Sequence, residues 1–304
     1  AVVDRAVLTR VLNGEPRAGI GPAALIAGAL SDVADQAGDY DASRARALFG
    51  ILQVNSDFGD ATGTGPFRPP ASVQDDDGVV YRYFPAHGLQ FHPLASFAQL
   101  NLDVRHHRAD LARRLADAMV ARAISEDGSP RWEYYFDFGG PERWTSGFAQ
   151  AVAADSLARA AALLDDRRLA HIARSAFAAV PSAYVIHAGG GVWIREYSFS
   201  ELLILNAQLQ TIVSLADYAQ VSGDSGARDV VVQLEAAARS LLSQFDMGCW
   251  SRYSLGGRPA TPAYHAYHIR LLRRLTALTH DRVWAATADR WQRGLASAEA
   301  CSRT

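Results

Sequence analysis

The groups best suited to chemistry lie where a loop runs into a helix. Arg195-Glu196-Tyr197 places a guanidinium, a carboxylate and a phenol in succession, between the Gly-rich turn Gly189–Gly191 and an apolar segment that reaches Ser222. A loop held by a rigid helix can present such groups to a ligand, whereas the same triplet along a helix flank only faces water. Read without context, Arg195 and Glu196 also fit solvated loop charges, and Tyr197 a packing aromatic. Farther on, Tyr253 and the run Tyr264-His265-Ala266-Tyr267-His268 add phenols and imidazoles. His265 and His268 are three residues apart near a helix start and share one face. That spacing can ligate zinc, but no third ligand is evident, which leaves hydrogen bonding to a substrate or anchoring of the helix. Asp75, Asp76 and Asp77 precede Gly78 without the spacing of a calcium loop and read as a solvated turn.

Elements must position these groups, and the composition gives ample material for a core. The chain has 304 residues, 49% hydrophobic and 20% charged, so one large domain or two small ones fit. No run reaches the roughly 18 uninterrupted apolar residues of a membrane span. The formal charge of −2 argues against a nucleic-acid partner, which wants a basic face. It leaves room for an acidic polysaccharide, because a local Arg cluster can focus the field in a cleft. All 30 basic residues are Arg, which reads first as codon bias in a GC-rich genome, though planar guanidinium forks also suit carboxylates. Cys249 and Cys301 are too few for a disulfide framework, and neither suggests a zinc site. The chain starts at Ala1, so localisation stays open between cytoplasm and export.

Apolar periodicity predicts helices over Asp4–Leu12, Pro22–Gln36 and Ala42–Gln53, then a Gly/Pro-rich loop over Asp57–Pro70. An alternating strand at Val79–Phe84 gives a small β element near residues 75–92. From His92 the pattern is helical: Pro93–Val104, Ala109–Ile124, Ser146–Leu164, Arg167–Val180, Ser200–Ser222, Arg228–Gln244, His265–Thr279 and Val283–Ala298. Ser198 or Ser200 is the expected N-cap of the helix after Glu196. The class is therefore mainly α, a tandem of helix hairpins, divided into a helical region 1–75 and a domain 76–304. Loops rich in Trp and Tyr, including those of Trp144, Trp193 and Tyr253, would line one cleft if they fall at one end of a helical barrel. For any single Trp, burial in the core is the competing assignment.

Three segments resemble the D-glucuronyl C5-epimerases, which convert glucuronate to iduronate in heparosan-type polysaccharides. Trp144-Thr-Ser-Gly-Phe-Ala-Gln150 is similar to that family's "W-x-S-x-M-A-Q-G-Q" helix start. Trp193–Tyr218, with Glu196-Tyr197, Leu205-Asn206 and Asp217-Tyr218, is similar to its Glu-Tyr segment followed by "L-N-G" and a helix ending in Leu-x-Asp-Tyr. Tyr253-Ser-Leu255 and Tyr264-His-Ala-Tyr-His-Ile269 are similar to "Y-D-L" and "Y-H-x-x-H-I". The likeness covers roughly residues 90–295. It departs after Leu255, where the family has Arg and this chain has Gly256-Gly257 before Arg258, and in residues 1–75, which read as helical where the family is β-rich.

The resemblance implies an incomplete (α/α) barrel and an enzyme without metal or cofactor, acting on an acidic polysaccharide; it leaves a homodimer open. Inverting C5 of a uronate means removing the proton alpha to the carboxylate and returning one to the opposite face. The developing charge is offset by Arg, His or a metal. By resemblance, Glu196 and Tyr264 are the acid/base pair and Tyr197 and Tyr253 further active-site tyrosines. Arg195, Arg258, His265, His268, Trp144, Trp193 and Asn206 would contact substrate. Because a phenol titrates near about 10, Arg195, Arg252 or Arg258 is expected to lower it. A polysaccharide lyase would abstract the same proton. A glycoside hydrolase would need Glu196 opposite Glu201 or Asp137. A non-catalytic sugar-binding module would need only the aromatic loops.

Overall fold

A computed structural model describes residues 22–36, 38, 41–61 and 71–296; the helix expected at Asp4–Leu12, the loop over 62–70 and Cys301 lie outside the described residues. The chain forms two compact units, Ala1–Thr145 with Ala160–Leu169, and Ser146–Arg159 with Ala170–Thr304. The division expected at residue 75 falls inside the first.

In the first unit, helices α1 (Pro22–Asp35) and α2 (Ala42–Ala61) pack against a three-stranded antiparallel sheet of β1 (Ser72–Gln74), β2 (Val80–Phe84) and β3 (Gly88–Phe91). Helix α2 continues over Asp57–Ala61, where a loop was expected, and a Gln53–Asp57 side-chain bond of 2.6 Å supports that turn at helical i,i+4 spacing. Buried Asn55 completes the sheet edge, accepting from the Leu89 N–H at 2.9 Å and donating to its carbonyl at 2.8 Å. Asp75 accepts from the N–H groups of Asp77 and Val79 and faces Arg122 at 3.5 Å, so the acidic turn is held by its own backbone. After α3 (Pro93–Arg105) and α4 (Ala109–Val120) come the short pairs β4–β5 (Ile124–Glu126, Ser129–Arg131) and β6–β7 (Glu133–Tyr134, Trp144–Thr145). The aromatic loops expected there are thus partly strands. Trp144 lies flat on Tyr134, centroids 4.0 Å apart, and donates to the Phe136 carbonyl at 2.9 Å.

The second unit is built on helix α7 (Leu205–Ser222). Buried residues cover nearly its whole circumference, including Leu205, Leu209, Ile212, Leu215 and Tyr218, as expected of a helix inside a core. Around it pack α8 (Ser225–Phe245) and α9 (Pro262–Thr279), with α10 (Arg282–Ala296) against α9. Asp224 caps α8 by accepting from the Ala227 N–H, and Thr261 caps α9 by accepting from the Tyr264 N–H. Helices α5 (Gly147–Leu164) and α6 (Arg167–Ala183) enter this unit, and buried Gln150 of α5 donates to the Ala176 carbonyl of α6 at 3.1 Å. The hairpin β8–β9 (Val185–Ala188, Gly191–Ile194) leads into Arg195. Cys249, expected outside any disulfide framework, is disulfide-bonded. Among the described residues no helix is long and apolar enough to cross a membrane.

Close approach makes Gly147 a point of control over the loop that follows. A Cβ there would meet Tyr184 Cβ at 2.5 Å and the Arg195 carbonyl oxygen at 2.7 Å. Gly147→Ala should therefore lower stability by about 1–3 kcal/mol, measured by denaturant unfolding. An unchanged midpoint would mean that the two backbones separate freely.

Candidate active site

The strand before Glu196 is fixed by an amide in the core. Gln208 of α7 is fully buried; its Oε1 accepts from the Ile194 N–H at 2.8 Å, and its Nε2 donates to the carbonyls of Val192 at 3.0 Å and Leu234 at 2.8 Å. One side chain thus ties β9 to α7 and α8. Arg195 is then gripped on both sides, its N–H donating to the Tyr184 carbonyl at 2.8 Å and its carbonyl accepting from the Gly147 N–H at 3.0 Å. Glu196 and Tyr197 follow on a clamped stem.

Helix α7 begins at Leu205 rather than Ser200, and neither Ser198 nor Ser200 is its N-cap. That position belongs to Ile204, which caps with no side-chain bond. The intervening residues pair instead with 253–255: Leu205 N–H donates to the Tyr253 carbonyl at 3.0 Å, and Leu255 N–H to the Leu203 carbonyl at 2.9 Å. A backbone carbonyl thus takes one of the free N–H groups of the first turn, that of Leu205. The same pairing brings Tyr253 to the Glu196 loop.

Four ionisable groups form one cluster. The phenols of Tyr197 and Tyr253 are hydrogen-bonded to each other, and the Tyr253 ring meets the Tyr264 ring edge-on, centroids 4.8 Å apart. Glu196 is a half-buried residue whose Oε2 is sealed from solvent without a hydrogen-bond partner among the described residues. Burial pushes its carboxyl up to about 7. Burial also raises Tyr197 and Tyr253 well above the usual phenol range, with the charge of Glu196 the next cause for both. The expectation that an arginine lowers these phenols is thereby overturned. Tyr264, at the N-terminal end of α9, is 40% exposed and offers its ring to solvent.

A further phenol was not singled out from the sequence. Tyr267 lies one helical turn after Tyr264, donates to Gln210 Oε1 at 2.9 Å and is held up to about 12, chiefly by burial, with Glu196 and Tyr264 adding to the rise and Arg270 opposing it. Its i+3 spacing from Tyr264 was the available signal.

The other expected contacts are sorted by burial. Arg195 is engaged by Glu201 at 2.9 Å. Arg258 is exposed, and its carbonyl accepts from the Tyr253 N–H. Trp193 does not face a ligand: it is fully buried and stacked on Phe245 at 5.4 Å. Trp144 belongs to the first unit and is 6% exposed. Asn206 is buried at the start of α7, its Oδ1 without a partner among the described residues.

His265 and His268 are likewise not at a surface. Both are fully buried, and Ser251 Oγ lies 2.8 Å from the Nδ1 of each. The Ser251 N–H also donates to His265 Nδ1, which makes that nitrogen an acceptor and leaves Nε2–H to donate to the Trp291 carbonyl at 3.2 Å. Burial holds His268 down to about 3 and lowers His265 as well, so both are neutral. They anchor α9 beneath Tyr264 and cannot reach a substrate carboxylate. Two cavities of the second unit, ≈ 530 Å³ beside Gly189–Gly191 and ≈ 560 Å³ toward the C-terminal ends of α7 and α9, have none of the cluster in their walls. The cluster lies instead toward the N-terminal ends of those helices.

This fold is mainly α, of the incomplete (α/α)-barrel class, and solved structures share it. Cellobiose 2-epimerase from Bacillus thermoamylovorans is similar with a TM-score of 0.56 at 10% identity, over 91% of this chain and 76% of that one. A sugar epimerase from a ruminal bacterium gives 0.56 at 10%, over 90% and 75%. An endoglucanase of glycosyl hydrolase family 8 from Klebsiella pneumoniae gives 0.55 at 14%, over 73% and 75%. No curated protein sequence matches the chain. The family model of the D-glucuronyl C5-epimerase C-terminus matches residues 126–293, and the chain belongs to that family.

A raised carboxyl has a consequence for stability. Glu196 binds its proton more tightly folded than unfolded, so both states are protonated below about 4.5 and folding bears no cost there. As pH rises toward about 7 the unfolded chain ionises first and stability falls, by on the order of 3–4 kcal/mol once both states are charged. Glu196→Gln should therefore raise the Tm at pH 8 and leave it nearly unchanged at pH 4. Equal Tm values for variant and wild type at both pH values would contradict the burial of this charge.

Proposed function

We propose that the chain inverts C5 of D-glucuronate to L-iduronate in a heparosan-type polysaccharide, with Glu196 and Tyr264 as the two proton-transfer groups. The observation that carries this reading is a buried carboxyl held up to about 7, surrounded by Tyr197, Tyr253 and Tyr264. A group poised near neutral pH serves as base in one direction and acid in the other, as a reversible epimerisation needs. Ionised Glu196 takes the C5 proton, and the electron pair of that C–H bond passes into the uronate carboxylate as an enediolate. Tyr264 gives its phenolic proton to the opposite face of C5, the pair returns from the enediolate to form the new C–H bond there, and the enzyme is left with a carboxylic acid and a phenolate. The enzyme is reset when Glu196 gives up its proton and Tyr264, whose ring is 40% exposed, takes one back from solvent. Membership in the epimerase family supports the same reading.

Incubation of heparosan with the protein in heavy water, followed by NMR, tests it: deuterium should enter C5 while iduronate signals grow. Glu196→Gln and Tyr264→Phe should each lower net epimerisation by about 10²–10⁴-fold or more while the polymer still binds. Each variant can keep exchange on the face served by the surviving group. A rising ultraviolet signal from unsaturated uronate would make the protein a lyase, and binding without C5 exchange a sugar-binding module; either sinks the epimerase reading. Because Glu196 must be ionised to act as base, kcat/KM for glucuronate should climb through pH of about 7.

A further inference from the structure

An enediolate needs a cation, and the arginines beside the cluster are not equivalent. Arg195 is occupied by Glu201, and Arg252 donates to the Gly257 carbonyl at 2.7 Å. Arg258 is exposed as well, but among the described residues no ring lies under its guanidinium, and in that Arg270 is different. It is exposed, no carboxylate among the described residues is within ion-pair distance of it, and its guanidinium lies over the Tyr267 ring, 5.3 Å from the centroid. That ring is itself fixed: Tyr267 donates to Gln210, whose Nε2 donates to Ser214 Oγ at 3.1 Å. Tyr264, Tyr267 and Arg270 follow at successive i+3 steps on α9, so they are neighbours on its surface. Helical side chains lean toward the N-terminus, which carries this guanidinium back toward Tyr264. The charges of Glu196, Tyr264 and Arg270 all bear on the same Tyr267 phenol, so the cation stands beside the proposed proton-transfer groups.

We infer that Arg270, laid on the Tyr267 ring, is the anion-binding element of this site and takes a uronate carboxylate of the bound sugar chain in a two-pronged hydrogen bond. This rests on the acidic-polysaccharide reading above and adds what selects acidic over neutral sugar chains. A planar guanidinium matches a carboxylate fork to fork, and one already held on an aromatic face gives up less freedom on binding. Arg270 in this role is a substrate-binding residue. Tyr267 and Gln210 position it.

The test compares Arg270→Gln with Arg273→Gln, an exposed arginine one turn farther along α9. Calorimetric binding is measured with heparosan and with carboxyl-reduced heparosan, in which the acids are converted to alcohols. Arg270→Gln should weaken heparosan binding by about 10- to 100-fold and leave the reduced polymer unaffected. KM should rise more than kcat falls, Arg273→Gln should bind as wild type, and Arg270→Lys should recover part of the loss. Wild-type heparosan affinity in Arg270→Gln overturns the assignment, as does an equal loss for both polymers or for Arg273→Gln. If Arg270→Gln loses heparosan but not the reduced polymer, while the wild type exchanges no C5 proton, the anion site stands and the epimerase reading falls.

Discussion

The second unit depends on one buried amide. Gln208 satisfies three backbone groups from two elements in the interior of the core, where an unsatisfied polar group costs about 1–3 kcal/mol. Its loss would orphan the Ile194 N–H and two carbonyls together. It also transmits position: β9 ends one residue before Arg195, whose own N–H and carbonyl are taken by Tyr184 and Gly147. The Glu196 loop owes its geometry to the polar interior of a helix that is otherwise apolar. Gly191 makes the fit possible, since a Cβ there would meet the Gln233 carbonyl oxygen of α8 at 2.1 Å.

Much of the architecture was legible because helical periodicity survives without context. The hairpin tandem, the small β element near 75–92 and most helix bounds follow from apolar spacing alone. The start of α7 was not legible. Ser200 is a good N-cap by type, but the sequence does not reveal that residues 203–205 meet 253–255 fifty residues later, and that long-range pairing displaces the cap. The continuation of α2 through Asp57–Ala61 was missed for the same kind of reason, with the Gln53–Asp57 bond outweighing the local glycine.

The candidate site was legible in part. Residue types mark Glu196, Tyr197, Tyr253 and Tyr264 as able to do chemistry, and the structure brings them together. Types do not reveal burial, which is where the reading of Trp193, His265 and His268 as ligand contacts fails. Each is a polar-tipped ring that suits a sugar at a surface and a core equally well. Two histidines hydrogen-bonded by one serine could not be distinguished from a carboxylate clamp until the Ser251 segment was seen to lie beneath α9.

The electrostatics of the cluster limit how a proton can move through it. Burial makes both charged forms expensive, carboxylate at Glu196 and phenolate at Tyr197 and Tyr253, and each negative charge raises the cost of the next. At neutral pH the cluster therefore holds at most about one negative charge, and Glu196, lowest of these in pKa, carries it. In the reaction proposed above, protonation of Glu196 would remove that charge and make ionisation of Tyr197 or Tyr253 easier at the same moment. The charge state of Glu196 and those of Tyr197 and Tyr253 are thereby coupled through the field. A nearby cation fixed too firmly on Tyr197 or Tyr253 would undo this, because it would stabilise a phenolate while Glu196 is still charged. Tyr197 and Tyr253 are instead dominated by burial and by Glu196, while the arginine charge on the α9 face acts on Tyr267.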